Sequence, residues 1–198
     1  QLPERLPVAE AGELTSPVWT VSSSVLNASN VTYTHTFTIT TALGASSTIG
    51  VNIWNNPPSG GQTQPSQPDF SGVTTLGTGS SPDILDGQTV NILPFSPGGF
   101  LAQVPLGTDT LSANTAVTLQ FTGVRNPPVG GVFGTKTQTY GSNGALVDGS
   151  AGPDDNGAIQ VGDVVVSGTV RDADTSTVLS GVRMSIHGST PGSGLVAE

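Results

Sequence analysis

The sequence contains no cysteine and a single lysine, Lys136, among its 198 residues. Without cysteine, the chain has no disulfide framework, no thiol nucleophile and no thiolate metal ligand. Five basic residues against fourteen acidic ones give a net charge of −9. Nucleic acids and anionic membrane surfaces bind clustered Lys and Arg, so we expect neither partner. No apolar run approaches the roughly 20 residues of a membrane span, and we expect no membrane insertion.

Charged residues make up only 10% of the chain, whereas 27 Gly, 15 Pro and many Thr and Ser are present. Ordinary soluble domains carry about 25% charged residues. Few charges, abundant hydroxyls and many turn-forming residues are typical of an extracellular β protein. The sequence begins at Gln1 and not at Met. Two interpretations are that a signal peptide has been removed or that the sequence has been trimmed. The composition favours the first, so we expect a secreted protein at the cell surface.

The most regular pattern lies in residues 31–41, where threonine occupies every second position and mostly apolar side chains lie between. A strand alternates its side chains across the sheet, so this pattern predicts one buried face and one hydroxyl face. A strand with one wet face belongs to an antiparallel sheet. We therefore predict an all-β antiparallel sandwich, of jelly-roll or Ig-like type, with about eight to ten strands. Because a long strand is an aggregation hazard at a sheet edge, we expect this one in a central position or with its edge covered.

Pro, Gly, Asn and Ser clusters divide the chain into strand candidates and connections. The predicted strands are Val18–Ser23, Val31–Thr41, Thr48–Trp54, Phe70–Leu76, Thr89–Leu93, Phe100–Val104, Ala116–Val124, Val132–Tyr140, Ile159–Val170 and Val178–His187. These predictions give an extended arm over 1–17, a main sandwich over 18–140 and a Gly/Asp-rich loop over 141–157. Residues 158–198 are then C-terminal strands that join the main sheet or pair with a neighbouring subunit.

Two segments resemble known families. Residues 164–186, with a V-x-G-x-V strand, an Asp-rich turn and an L-x-G-V strand, resemble the opening of carboxypeptidase regulatory-like domains. The body, from residue 19 through residue 124, resembles the Thr-rich Ig-like or jelly-roll modules of secreted and surface proteins of bacteria. That resemblance implies a structural or adhesive role and assigns no catalytic residue.

The sequence offers little support for catalysis, and we expect that the protein is not an enzyme. His35 lies at an inward position of its strand, where a packed and hydrogen-bonded imidazole is expected, and His187 has no acidic companion in sequence. No G-x-S-x-G motif is present to hold a nucleophile. A hydrolase with paired carboxylates remains an open alternative. Its candidates are Asp69, Asp83, Asp86 and Asp109.

No cofactor is expected, with calcium as the one alternative. Carboxylate and amide oxygens in the Gly-rich stretch suit a hard cation, although the EF-hand spacing is absent. The candidate ligands are Asp148, Asp154, Asp155, Asn156 and Asp163. Solvated carboxylates in a turn are the competing interpretation.

Four further residues and two sequons could contact or carry sugars. Asn27-Ala28-Ser29 and Asn30-Val31-Thr32 fit the N-x-S/T pattern, which makes Asn27 and Asn30 candidate glycosylation sites. A carbohydrate site is suggested by Trp54, Asn55 and Asn56 before a Pro-rich loop, and Trp19 could extend the aromatic platform. Burial of both tryptophans in the core is the competing interpretation.

The leading functional hypothesis is a secreted structural protein that forms a cell-surface filament or matrix by non-covalent strand exchange with other copies of itself. The arm and the C-terminal strands are the segments that would pair with a neighbour. The predicted interface residues are Leu6, Val8, Leu14, Val178, Val182, Met184 and Ile186. The alternative is a carbohydrate-binding or adhesive module of an exported protein.

Overall fold

A computed structural model of the chain describes residues 11–55, 67–95, 99–149 and 158–162, together with residues 175 and 177. For Trp54, Asn55 and Phe95 it describes the backbone alone. The chain divides into two compact units, Gln1–Val164 and Val165–Glu198. Within the second unit the description is limited to one contact, in which the Thr177 N–H donates to Thr175 Oγ1 over 3.4 Å.

The first unit is nearly all β, and its described residues contain nine strands and one short 3-10 helix, Asp83–Leu85. The strands are β1 (Thr15–Val21), β2 (Val31–Thr38), β3 (Thr48–Asn55), β4 (Asn91–Phe95), β5 (Gly99–Pro105), β6 (Ala116–Val124), β7 (Gly131–Tyr140), β8 (Leu146–Asp148) and β9 (Ala158–Val161). They form two sheets, in which every named strand pairs antiparallel with its neighbours.

The smaller sheet has three strands in the order β1-β2-β6. Along β2 the odd-numbered residues are buried and the threonines between them are partly exposed, which confirms the two faces predicted from the alternation. The central position predicted for this strand is also confirmed. Its predicted end at Thr41 is wrong, because the strand stops at Thr38 and Thr40 and Thr41 turn towards Asp148 instead.

The larger sheet has six strands. Five follow the order β4-β5-β3-β7-β8, and the sixth, β9, also pairs with β7. Both sheets face one hydrophobic core. At its centre the Phe70 ring lies 4.6 Å from Phe100 of the larger sheet and 5.2 Å and 5.6 Å from Tyr33 and Phe121 of the smaller one, between ring centroids. The predicted antiparallel β-sandwich is therefore confirmed.

One predicted strand is wrong. Residues 70–76 form a turn and two isolated bridges in place of a strand, with the Val73 N–H donating to the Phe70 carbonyl over 2.8 Å. Phe70, Val73 and Leu76 are all buried, at a spacing of three residues. A strand would require a spacing of two, so these side chains anchor an irregular segment to the core.

The predicted segment boundaries also differ in detail from the structure. The first three residues of β1 fall within the predicted arm, and β8 lies inside the stretch predicted to be a loop. β9 covers the first part of the predicted strand Ile159–Val170, and the remainder from residue 163 lies outside the described residues, as does Val178–His187.

Candidate functional site

Many of the residues predicted from the sequence lie in three places in the sandwich, and the first is a polar network between the two sheets. His35 of β2 is fully buried, with Nδ1 3.2 Å from the Val18 carbonyl and Nε2 2.8 Å from Thr137 Oγ1. A carbonyl only accepts, so Nδ1 carries the proton and Nε2 accepts from the Thr137 hydroxyl. The packed and hydrogen-bonded imidazole predicted from sequence is confirmed.

Burial lowers the pKa of His35 to about 4, and the hydrogen bond to the Val18 carbonyl opposes that shift only in part. The imidazole is therefore neutral near pH 7. Both ring nitrogens are held by partners inside the protein, so this histidine is a structural bridge between the sheets.

Trp19 of β1 completes the network. Its ring stacks on His35 at 4.2 Å between centroids with an interplanar angle of 12°, and its Nε1–H donates to Thr135 Oγ1 over 3.0 Å. The indole thus joins the smaller sheet to the larger one and is packed against the core. This geometry supports the competing interpretation of Trp19 as a core anchor, because one face of its ring and its only polar atom are engaged inside the sandwich.

The second place is the edge of the larger sheet at β8, where residues preceding β1 dock. The Gly12 N–H donates to the Val147 carbonyl over 2.8 Å and the Gly149 N–H donates to the Gly12 carbonyl over 2.7 Å, forming a parallel bridge to Asp148. A Cβ at position 12 would overlap Asp148 Oδ1 and Thr40 Oγ1. Only glycine therefore fits this docking position. We call Gly12 with Val147–Gly149 and Thr40 the arm-docking site.

Asp148 forms the floor of the arm-docking site and is fully buried. Its Oδ2 accepts from the backbone N–H groups of Thr40 and Thr41 over 3.1 and 3.0 Å, and its Oδ1 accepts from Thr40 Oγ1 over 2.9 Å. Its own N–H donates to Thr139 Oγ1 over 2.9 Å. The carboxylate thus fixes the end of β2 against the edge of the other sheet.

Both carboxylate oxygens of Asp148 already accept protein donors, which gives this residue a structural role, and calcium binding at Asp148 stays a prediction. The other four predicted ligands, Asp154, Asp155, Asn156 and Asp163, lie outside the described residues. Within the ranges that the structure describes, no three His, Asp or Glu side chains come together in a group that could hold a metal ion.

The third place is the β1–β2 turn with its two sequons. Tyr33 donates its hydroxyl proton to Asn126 Oδ1 over 2.6 Å, and Asn126 Nδ2 donates to the Ser23 and Val25 carbonyls over 2.8 Å each. Burial raises the pKa of the Tyr33 phenol. Sequence analysis did not single out Asn126. Its position beside two prolines does not predict this hydrogen-bonding role, because its partners lie about 100 residues away in sequence.

Asn27 and Asn30 lie in this turn, and both are exposed with a φ of 57°. Left-handed backbone is tolerated by asparagine better than by most residues. The geometry leaves both side chains at the surface, and their glycosylation stays a prediction.

Two of the four carboxylates considered for a hydrolase, Asp69 and Asp109, accept hydrogen bonds from other residues. Asp69 accepts from the Ser71 N–H over 2.9 Å, and this contact with Ser71 lowers its pKa. Asp109 Oδ2 accepts from Gln88 Nε2 over 2.9 Å, whereas Asp83 and Asp86 are joined through their backbones, with the Asp86 N–H donating to the Asp83 carbonyl over 3.0 Å. The contact of Asp69 with Ser71 is a usual role of Asp in turns, and the hydrolase alternative stays a prediction.

The remaining predicted sites are only partly described. Trp54 and Asn55 end β3 in register with Gly134 and Phe133, while Asn56 lies outside the described residues. Leu14, predicted as an interface residue, is partly buried against the core of its own chain. The other predicted interface residues also lie outside the description: Leu6, Val8, Val178, Val182, Met184 and Ile186.

Comparison of the chain with protein-family models, curated proteins and solved structures gave no match. Among the described residues, no helix has the length and apolar character that a membrane span requires.

Proposed function

We propose that the chain is a secreted structural subunit, which joins copies of itself into a cell-surface filament or matrix by exchanging the segment that precedes β1. The observation that carries this proposal is the docking of Gly12 on β8. An element that packs on its own sheet edge can make the same contacts with the same edge of a neighbour, which is the principle of domain swapping. Exchange thus needs no interface chemistry beyond what one chain already contains.

Two other sheet edges, at β1 and β4, are poorly suited to strand addition. β1, at one edge of the smaller sheet, contains Pro17 and a register shift between Thr15 and Val18. β4, at one edge of the larger sheet, contains Pro94. Proline and bulges are devices that protect edges from pairing with other chains. The edge at β8 contains no proline, although its pairing with β7 shifts register between Thr139 and Tyr140. Because Gly12 already docks on this edge, it is the edge at which exchange is expected.

The start of β1 provides the turning point of the arm. Ser16, the second residue of β1, adopts a φ of 54° beside Pro17, and this left-handed backbone interrupts the extended strand there. Exchange requires only that these residues redirect the arm towards a neighbour, while Leu14 leaves its own core and enters an equivalent one.

Secretion is supported by composition and by the surface of the smaller sheet. Charged residues are scarce, and the partly exposed face of β2 consists of threonines alone. A neutral hydroxyl surface with little lysine suits a protein that packs side by side with its copies outside the cell.

The experiment compares wild type with Gly12→Ala by electron microscopy and analytical ultracentrifugation over a range of concentrations. Wild type is expected to form fibres or larger oligomers, and Gly12→Ala to lose them because the added Cβ overlaps Asp148 and Thr40. Gly44→Ala is the matched control, since nothing lies within 4 Å of its Cβ. A wild type that is monomeric at every concentration, or a Gly12→Ala variant that assembles normally, would contradict the proposal.

A further inference from the structure

The outer face of the six-stranded sheet, which points away from the core, is lined mainly by uncharged polar side chains. Its rows follow from the strand register. The middle row contains Asn91, Gln103, Gly50 and Gln138. The next row contains Leu93, Leu101, Asn52 and Lys136, and the row on the other side contains Pro105, Thr48 and Tyr140. In these three rows Lys136 is the only charged residue.

Gly50 lies in the middle of this face, and the Tyr140 ring lies against it. A Cβ on Gly50 would lie 3.2 Å from Tyr140 Cε2 and 3.4 Å from Leu101 Cδ1. The Tyr140 hydroxyl donates to Gln138 Oε1 over 3.0 Å, which fixes the far end of the ring. The glycine thus lets an aromatic ring lie close to the sheet beside a row of amides.

Asn52, next to Gly50 on the same strand face, is the unusual residue. The residue is only 9% exposed, and no donor in the described part of the chain reaches its Oδ1. A buried acceptor without a donor destabilises the folded state. Proteins retain such local violations mainly at functional sites. A ligand that supplied a donor to the Asn52 carbonyl would remove this cost.

We propose that this face binds a neutral oligosaccharide, with a sugar ring against Tyr140 and sugar hydroxyls on the amides of Asn52, Gln103 and Gln138. Hydroxyls both donate and accept, as amides do, so the two sets of groups match without charge. Gln103 and Gln138 flank β3 in register, which places their strands about 10 Å apart. That span suits a short saccharide lying across the strands. The proposed site does not include Trp54, Asn55 or Asn56. It also does not depend on exchange of the arm.

Binding is tested by isothermal titration of the full chain with neutral hexasaccharides of glucose, xylose, mannose and N-acetylglucosamine. Wild type is expected to bind at least one of these probes, and Asn52→Ala and Gln103→Ala to weaken binding about tenfold or more, because each removes a hydrogen-bonding amide. Thr36→Ala, on the outer face of the other sheet, is the matched control and should bind as wild type does. Tyr140→Phe keeps the ring and should bind better than Tyr140→Ala.

A second measurement separates binding from folding. Asn52→Val removes the unsatisfied acceptor and should raise the thermal unfolding midpoint by a few degrees while it abolishes sugar binding. A lowered midpoint would show that the amide serves the fold, and would overturn the proposal.

Three further results would also overturn it: no probe binds wild type, the amide variants bind as wild type does, or Asn52→Ala removes a self-association of the chain without any sugar being bound. The last result would assign the face to a second copy. Gly12→Ala should bind sugar normally, so failure of arm exchange and failure of sugar binding are distinguishable.

Discussion

β2 and β7 are both threonine-alternating strands, yet they present their threonines to opposite sides. On β2 the threonines face outward and are partly exposed, while Tyr33, His35 and Phe37 fill the core. On β7 it is Thr135, Thr137 and Thr139 that are fully buried, with Lys136, Gln138 and Tyr140 on the outer face. The same two-residue period is therefore compatible with a threonine face that points outward, as on β2, or inward, as on β7.

The difference lies in where each hydroxyl finds its partner. Each buried threonine of β7 contacts a polar group from another strand: Trp19 Nε1 for Thr135, His35 Nε2 for Thr137 and the Asp148 N–H for Thr139. A buried hydroxyl is tolerated when it is hydrogen-bonded, whereas an outward one is hydrated. The hydroxyl of an inward threonine thus needs a hydrogen-bond partner on another strand, whereas the hydroxyl of an outward threonine is hydrated by solvent.

The largest expected effect is at the apolar side of β2. Phe37 is 2% exposed, and Phe37→Ala should lower the free energy of unfolding by about 3–5 kcal/mol through the cavity it leaves. Urea unfolding monitored by circular dichroism measures this loss. The outward Thr36→Ala on the same strand should change stability by no more than about 0.5 kcal/mol. Equal losses for the two variants would contradict the assignment of the faces.

The next effect is a dependence of stability on pH through His35. Its pKa falls from 6.5 in the unfolded chain to about 4 in the folded one, so the unfolded state binds more protons between these values. The contribution of the neutral imidazole is complete above pH 6.5 and is lost as the pH falls to about 4. The loss amounts to about 3 kcal/mol.

His35→Gln is the control for this prediction, since it lacks the titrating group while the carboxylates remain. Unfolding free energies measured at several pH values from 7 to 4 should fall more steeply for wild type than for His35→Gln. Parallel curves for the two proteins would show that His35 does not titrate between these values.

A smaller effect compares one inward and one outward threonine directly. Thr137→Val removes the donor to His35 Nε2 and should cost about 1–3 kcal/mol, because a buried acceptor is left unsatisfied. Thr36→Val changes a partly exposed position of similar shape and should stay within about 0.5 kcal/mol of wild type. Chemical unfolding of both variants measures the two values, and a larger cost for Thr36→Val would reverse the comparison.

Much of the fold was predictable where a pattern within one segment decides the outcome. The inward set of β2 and both ends of β6 follow from alternation within a strand. The strand predicted at residues 70–76 failed because Phe70, Val73 and Leu76 reach the core from a turn, and apolar composition alone does not distinguish a turn from a strand.

The candidate sites were less predictable, since their partners lie far away in sequence. Asp148 among glycines suggested a calcium loop, but its carboxylate binds Thr40, 108 residues earlier. Gly12 gave no signal at all, because its requirement for glycine comes from side chains of two other elements. Asn52 looked like an ordinary polar residue of a strand, and only its burial without a donor distinguishes it.

By itself, the sequence determined an all-β antiparallel sandwich and the faces of β2, because a two-residue period and the burial of apolar groups act within one strand. Only the tertiary structure decided which face of β7 is inside, what Asp148 binds and where the residues before β1 dock. The contacts Trp19–Thr135, His35–Thr137 and Thr40–Asp148 each join residues more than 100 positions apart. A polar group can be buried only where such a partner meets it, and the packing of the two sheets supplies that partner.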